Sequence, residues 1–236
     1  INFHKQYHKW NVMGKRLNAY IITKNYVQFC FEVETGKKKE VNTHIGIDSG
    51  INALATCSTG NMYGQDIKEC VSRVKRCKHG SNGQKTARRA LRQRIDEITK
   101  ELITKENPDL VVVEQLKNLG HKTKDKRLLS KNIRRSIGIW NWRYWLTRLE
   151  QQCEENRVSF RSVSPYNTSI TCSNCGHADR MNRQSQECFC CQKCGHTDNA
   201  DINASRNILS RFILGKYGSQ CKQEKKDDNL PLGKFV

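Results

Sequence analysis

Two cysteine pairs late in the chain constrain its fold more than any other feature. Cys172-Ser-Asn-Cys175 and Cys191-Gln-Lys-Cys194 are separated by fifteen residues. Each pair suits a tight knuckle, and two knuckles complete a tetrahedral thiolate site for zinc. Each runs on into glycine and histidine, Gly176-His177 and Gly195-His196, where glycine permits the turn behind the second cysteine. Cys188 also stands three residues before Cys191, so a second ligation register exists on paper. The Cys191/Cys194 register is favoured because Gly195 follows it and Phe189 suits a strand leading into the knuckle. His177 and His196 read as bystanders to four sufficient thiolates.

The 236 residues suffice for one sizeable core and a small module. Lys and Arg number 42 against 23 Asp and Glu, a net +19 spread along the chain. Such a field favours a polyanion, above all nucleic acid, with a solubilising surface as the plainer alternative. Of the 12 cysteines, Cys30, Cys57, Cys70, Cys77, Cys153 and Cys221 show no pairing signal. No signal peptide is visible, and the best-spaced cysteines read as metal ligands, so a reducing cytoplasm is expected. The longest apolar runs, such as Leu110 to Val113, are too short to span a bilayer. The chain opens on Ile1 and so reads as a fragment or a processed product.

Val27, Phe29, Phe31 and Val33 alternate with polar neighbours, the pattern of a half-buried strand. Leu17 to Thr23 supplies a hairpin partner turning at Lys24-Asn25. Beyond a polar boundary, Ile45 to Asp48 reads as a buried strand, Ala53 to Ser58 as a second and the stretch near Met62 as a third. Residues 71–106 are helical in pattern, with Ala87, Leu91, Ile95, Ile98 and Leu102 as one apolar stripe and Pro108 as the stop. Asp109 to Glu114 is a continuous apolar run, as in a strand covered on both faces. A helix is expected from Ser136 to Asn156, with Trp142, Trp145, Leu146, Leu149 and Cys153 inward, then a strand over Val158 to Val163 and a last helix over Asn203 to Leu214. The order implies a mixed sheet flanked by helices.

Three carboxylates stand out. Asp48 and Glu114 end hydrophobic strands, and Asp201 opens a helix. Neighbouring strands, about 4.8 Å apart, would set the first two side by side at the carboxyl edge, where α/β sheets bind ligands. Three clustered acids need a cation, and oxygen-only ligands point to Mg²⁺ or Mn²⁺. Two such ions suit phosphodiester cleavage. Taken singly, each acid has a plainer reading: Asp48 as a turn former and Asp201 as a helix cap, whereas a buried Glu114 needs partners.

Gly46-Ile-Asp48-Ser-Gly50, Val113-Glu114, the four-cysteine ribbon and Asp201-Ile-Asn-Ala-Ser-Arg-Asn207 together resemble the RuvC-type nuclease of the TnpB family, the transposon-encoded OrfB-type proteins related to compact type V CRISPR effectors. Pro165 to Ser169, before the first knuckle, is similar to that family's approach to its zinc ribbon. The resemblance covers about residues 41–215. It implies an α/β fold of RNase H-like (RuvC) type, with a mixed sheet, flanking helices and an inserted zinc ribbon. The implied domains are a partial, wedge-like β-barrel segment (1–40), the nuclease (41–169 and 197–218), the ribbon (170–196) and a loose tail (219–236).

The implied activity is RNA-guided cleavage of DNA by Asp48, Glu114 and Asp201 with Mg²⁺ or Mn²⁺, in a prokaryotic cytoplasm or nucleoid. The family pattern selects Asp201 over Asp198. The partners implied are guide RNA and both DNA strands, with a missing N-terminal segment or second chain completing guide docking, since the wedge is only partly present. Lys131, Arg134 and Arg135 could line a nucleic-acid channel or form a solvated helix end. Trp140 and Trp142 could stack on bases or fill the core. Two other functions fit the same fold: a guided DNA-binding protein without cleavage, and a transposase acting without a guide.

Overall fold

In a computed structural model the protein is described over residues 4–34, 39, 42–50, 52–115, 139 and 142–215. Two compact units divide after residue 37. The first begins with a helix that the sequence reading missed, α1 (Lys5–Met13), capped by His4. It continues into an antiparallel hairpin of β1 (Lys15–Ile22) and β2 (Val27–Glu32). The turn is closed by the Thr23 N–H, which donates to the Tyr26 carbonyl at 2.9 Å. Tyr7 of α1 sets its ring edge-on against Phe29 and Phe31, with centroids 5.3 and 5.6 Å away. The expected inward face of β2 is therefore only half covered, and β1 is exposed throughout.

The second unit is a five-stranded mixed sheet. Its strands are β3 (His44–Asp48), β4 (Ala55–Cys57), β5 (Met62–Tyr63), β6 (Leu110–Glu114) and β7 (Ser159–Val163), ordered β5-β4-β3-β6-β7. β3 runs parallel to β6, and β6 to β7, while β4 and β5 are antiparallel. The apolar run of β6 is buried on both faces, as a central strand requires.

Side-chain alternation sorts the two faces of the sheet. Ile45, Ile47, Val111 and Val113 belong to the larger core, with Leu91, Ile95, Ile98, Trp145 and Leu149. These come from α3 (Asn82–Glu106) and α4 (Trp142–Glu155); α2 (Ile67–Arg76) adds Ile67, Val71 and Val74. The charged stretch expected as one helix is thus two, because Gly80-Ser81 breaks it: Gly80 has φ +75° and the Ser81 hydroxyl caps α3 by accepting from Gln84 N. At its far end Asn107, left-handed at φ 41°, stops α3 one residue before Pro108.

The other sheet face carries Leu110, Val112 and Val163, packed on Ile208. Ile208 belongs to the last helix, α5 (Ala200–Ile213), which begins three residues earlier than its apolar pattern suggests. Gly46 explains how closely α5 lies on β3. A methyl group there would sit 2.2 Å from the Ser205 carbonyl oxygen and 2.8 Å from Leu209 N, so only glycine fits under the helix.

Candidate active site and cysteine ribbon

The parallel register pairs Ile47 with Val113. One residue further on, Asp48 and Glu114 stand side by side at the carboxyl ends of β3 and β6. By alternation both point to the face covered by α5, whose first turn holds Asp201. The helix cap is Asn199, whose side chain accepts from the Asp201 and Ile202 N–H groups. Asp201 is thereby released from capping, and its carboxylate lies 3.9 Å from where a side chain on Gly50 would begin.

Burial pushes Asp48 up to about 7, and the negative charges of Glu114 and Asp201 add to the rise. Glu114 is raised by burial too, against the opposing hydrogen bond from Thr168 and the charges of Arg211 and Arg183. The three acids therefore share one electrostatic site. They do not close on a point: among the described residues, the group of metal-binding side chains whose ligand atoms all lie within 4.8 Å of one another is the four thiols.

Three residues at the site were given no role from sequence, although Thr168 lies in the Pro165 to Ser169 stretch noted above. Arg183 donates to Asp201 Oδ1 at 3.1 Å, and its positive charge pulls the pKa of Asp48 and of Glu114 down against the rise from burial. Thr168, almost wholly buried, holds its hydroxyl against Glu114 Oε1. Arg211 donates to the Ser164 carbonyl at 2.7 Å beside Glu114. Each stands 18 or more residues from the acid it acts on, so only folding reveals the pairing. Trp145 braces the β3 end by donating to the Ser49 hydroxyl at 3.1 Å.

The ribbon is built as its spacing predicts. Cys172 Sγ lies 3.7 Å from Cys194 Sγ, and Cys175 Sγ lies 3.6 Å from Cys191 Sγ. A tetrahedron with Zn–S bonds of about 2.3 Å has edges of about 3.8 Å, so the thiols fit zinc. Cys188 is exposed in β8 (Cys188–Cys190), which pairs with β9 (Thr197–Asn199), and Phe189 between them is buried beside Cys172, Cys191 and Ala200. Cys191 is thus the cysteine that joins the cluster.

Asn203 ties ribbon to helix. It accepts from Ser173 N at 2.9 Å and donates to the Thr171 carbonyl at 2.8 Å. Asn207 adds bonds to the Thr168 and Thr171 carbonyls. Asp198, the rejected alternative to Asp201, is engaged elsewhere, paired with Arg206 and facing His196. Trp142 is half-buried against the core. Lys131, Arg134, Arg135 and Trp140, expected near nucleic acid, lie outside the described residues. A polar cleft lined by His44, Ser173, His196 and Arg206 sits toward the amino end of β3, away from the acids.

Residues 142–208 match the family model described as Cas12f1-like, TNB domain. The chain is 31% identical over 193 residues to the putative RNA-guided DNA endonuclease InsQ of Escherichia coli (strain K12), covering 70% of this chain and 48% of that protein. It is 37% identical over 79 residues to the CRISPR-associated endodeoxyribonuclease Cas12f1 of Sulfoacidibacillus thermotolerans, covering 31% of this chain and 19% of that one. The chain thus spans about half the length of InsQ. Among solved structures, a Cas12f1–sgRNA–target DNA complex matches with a TM-score of 0.53 and 23% identity, over 72% of this chain and 50% of that one.

Proposed function

We propose that this chain, a relative of the TnpB proteins and the compact type V effectors, is the RuvC-like, RNase H-fold nuclease portion of an RNA-guided DNA endonuclease. The observation that carries the reading is the β3–β6 register, which sets Asp48 beside Glu114 beneath the helix turn that bears Asp201. The relatives named as RNA-guided or CRISPR-associated nucleases support the same activity. Guide RNA and the two DNA strands are its partners in this reading, and the hairpin unit is the wedge-like segment.

The donor set suits hard divalent cations, since burial, with added repulsion from Glu114 and Asp201, raises the pKa of Asp48 to about 7 unless positive charge is supplied. Asp48, Glu114 and Asp201 would hold Mg²⁺ or Mn²⁺, which when bound would supply Lewis acidity and lower the pKa of water for attack on phosphorus. The chain's own groups prepare the site. Thr168 holds the Glu114 carboxylate in place, and Arg183 sets a guanidinium beside Asp201, where it would face a phosphate brought to the acids. The four thiols would hold structural zinc and so keep Arg183 and Asp201 in register with the sheet.

The test is to express the full-length gene product, sequence the RNA that copurifies, and assay labelled DNA matching that RNA with Mg²⁺, with Mn²⁺ and with neither. Guide-dependent cutting that Asp48→Ala abolishes is the expected result. Guided binding without cutting would favour a DNA-binding protein, and cutting without copurifying RNA a transposase.

A further inference from the structure

Asn182 is wholly buried inside the cysteine ribbon, and its amide is engaged on both sides. It donates to the Ile170 carbonyl at 2.9 Å and to the His177 carbonyl at 3.1 Å, and it accepts from Gln192 N at 2.8 Å. His177 closes the first knuckle, because its carbonyl also accepts from Cys172 N at 2.9 Å. Gln192 lies in the second knuckle, between Cys191 and Cys194. One side chain therefore ties together the lead-in to the ribbon and both knuckles. Zinc would take four thiolates, and the amide is not among them. What it holds is the backbone around them.

The two halves of the ribbon repeat one another. Cys-x-x-Cys-Gly-His-x-Asp runs over 172–179 and again over 191–198. In both, the first cysteine N–H donates to the histidine carbonyl at 2.9 Å. Each half hands the chain on to a charged residue of the acid site. After the second half, Asn199 caps α5 and leads to Asp201. After the first, Asp179 caps the short 3₁₀ turn Arg180–Asn182, and Arg183 follows. The two arms meet where Arg183 donates to Asp201 at 3.1 Å. Arg183 also donates to the Gln186 carbonyl at 3.1 Å, and its backbone bridges to Phe189 of β8. A guanidinium on a long, rotatable side chain stays on one carboxylate only if its backbone is fixed. The residue just before it is the one whose amide is bonded to both knuckles.

We propose that Asn182 is a positioning residue: by fixing the 3₁₀ turn on both knuckles, its amide holds the Arg183 guanidinium on Asp201. Its effect on cleavage rests on the nuclease reading; the placement of Arg183 does not. A buried amide that only stabilises the ribbon would behave differently. Its loss would lower zinc content or melting temperature and would cost the same with or without Arg183.

The first measurement uses this chain loaded with zinc, free of nucleic acid and carrying nitrogen-labelled arginine. The side-chain N–H signals of Arg183 are identified in NMR spectra by their loss in Arg183→Lys. A guanidinium held on a carboxylate stands apart from the averaged signals of free arginines. In Asn182→Ala we expect the Arg183 signals to join that average while zinc content and melting stay close to the parent's. Asn182→Ser, whose hydroxyl can still donate to one carbonyl, should lie between, and it supplies the reading where Asn182→Ala loses zinc. Unmoved Arg183 signals would overturn the proposal. So would zinc loss in both variants, since the amide would then serve the ribbon itself.

The second measurement is a double-variant cycle in the full-length protein with its RNA. Asn182→Ala is expected to slow cleavage about fivefold alone and to add less than about twofold in Arg183→Ala, because a residue that acts through another has nothing left to act on. Asn203 is another buried amide that ties ribbon to helix, and Asn203→Ala should cost the same in both backgrounds. Equal costs of Asn182→Ala in the two backgrounds would overturn the proposal. No cleavage by the parent, together with displaced Arg183 signals in Asn182→Ala, would sink the nuclease reading and support the positioning of Arg183.

Discussion

Arg183 donates to Asp201 across 3.1 Å, so the cysteine ribbon places a cation of its own among the three acids. That guanidinium favours the charged forms of Asp48 and Glu114. Without it, Asp48 ionises at a still higher pH. Since ionised carboxylates are needed to hold a divalent ion, the acid limb of the cleavage profile should move upward. We expect Arg183→Ala to cut at least tenfold more slowly at pH 7, with part of the loss recovered near pH 9, and Arg183→Lys to lie between. Initial rates from pH 6 to 9 in Mg²⁺ check this, and an unshifted profile for Arg183→Ala rejects it.

Asp48 also makes stability depend on pH. Its folded pKa, about 7, lies above the ordinary value of 3.8 expected in the unfolded chain. Between those values the folded chain binds more protons than the unfolded chain, so stability falls as pH rises. At about 1.4 kcal/mol per unit, the loss is at most a few kcal/mol by pH 8. Urea denaturation in Mg²⁺-free buffer should show this decline between pH 5 and 8 and show less of it in Asp48→Asn. An equal decline in both proteins would remove Asp48 as its source.

Zinc should hold both the ribbon and the acid site. Small ribbons have little core of their own, and here Ala200, next to Asp201, packs on Cys172, Phe189 and Cys191. We expect one zinc per chain, lost in Cys172→Ser, Cys191→Ser and Cys194→Ser and kept in Cys188→Ser, by metal analysis of the purified proteins. Cleavage should fall with the zinc even when Mg²⁺ is plentiful, because Arg183 and Asp201 both flank the ribbon. Zinc retained in Cys191→Ser and lost in Cys188→Ser would reverse the register.

The sheet and the long helices were legible because their signals are local. The β6 run and the Ala87 to Leu102 stripe announce burial from sequence alone. Cysteine spacing did the same for the ribbon, since knuckle geometry lies within a few residues. What stayed hidden depends on distant partners. Arg183 looks like any surface arginine until β8 and the short 3₁₀ turn Arg180–Asn182 carry it to Asp201. Asn203 and Asn207 look like ordinary helix residues, yet both are buried and bonded to backbone. α1 shows no buried residue and so leaves little apolar pattern to read.

Gly46 should tolerate no side chain. In Gly46→Ala the added methyl meets the α5 backbone at 2.2 Å, which no rotamer change relieves. Either α5 moves or the strand does, and the distance from Asp48 to Asp201 changes with it. We expect a loss of about 1–3 kcal/mol, the usual cost of overpacking, together with at least tenfold slower cleavage. Wild-type melting and cleavage would show that α5 does not sit on β3 in this way.

The sharpest test separates two neighbouring aspartates. Asp48→Ala, Glu114→Ala and Asp201→Ala should each abolish cutting, and combining them should cost little more, because groups that hold one catalytic unit are not additive. Binding of DNA and RNA should persist, since loss of an acid makes the site more positive. Asp198 faces Arg206 and His196 and belongs to the structural side of the helix start. Its loss removes a partly exposed ion pair worth about 1 kcal/mol or less, so Asp198→Ala should cut at close to the wild-type rate with slightly lower thermal stability. The comparison is best made in the full-length protein with its RNA, scoring cleavage and melting on the same preparations. If Asp198→Ala is dead while Asp201→Ala cuts normally, the third ligand has been assigned to the wrong residue. If all four variants cut like the wild type, the acids are not the catalytic centre and the nuclease reading falls with them.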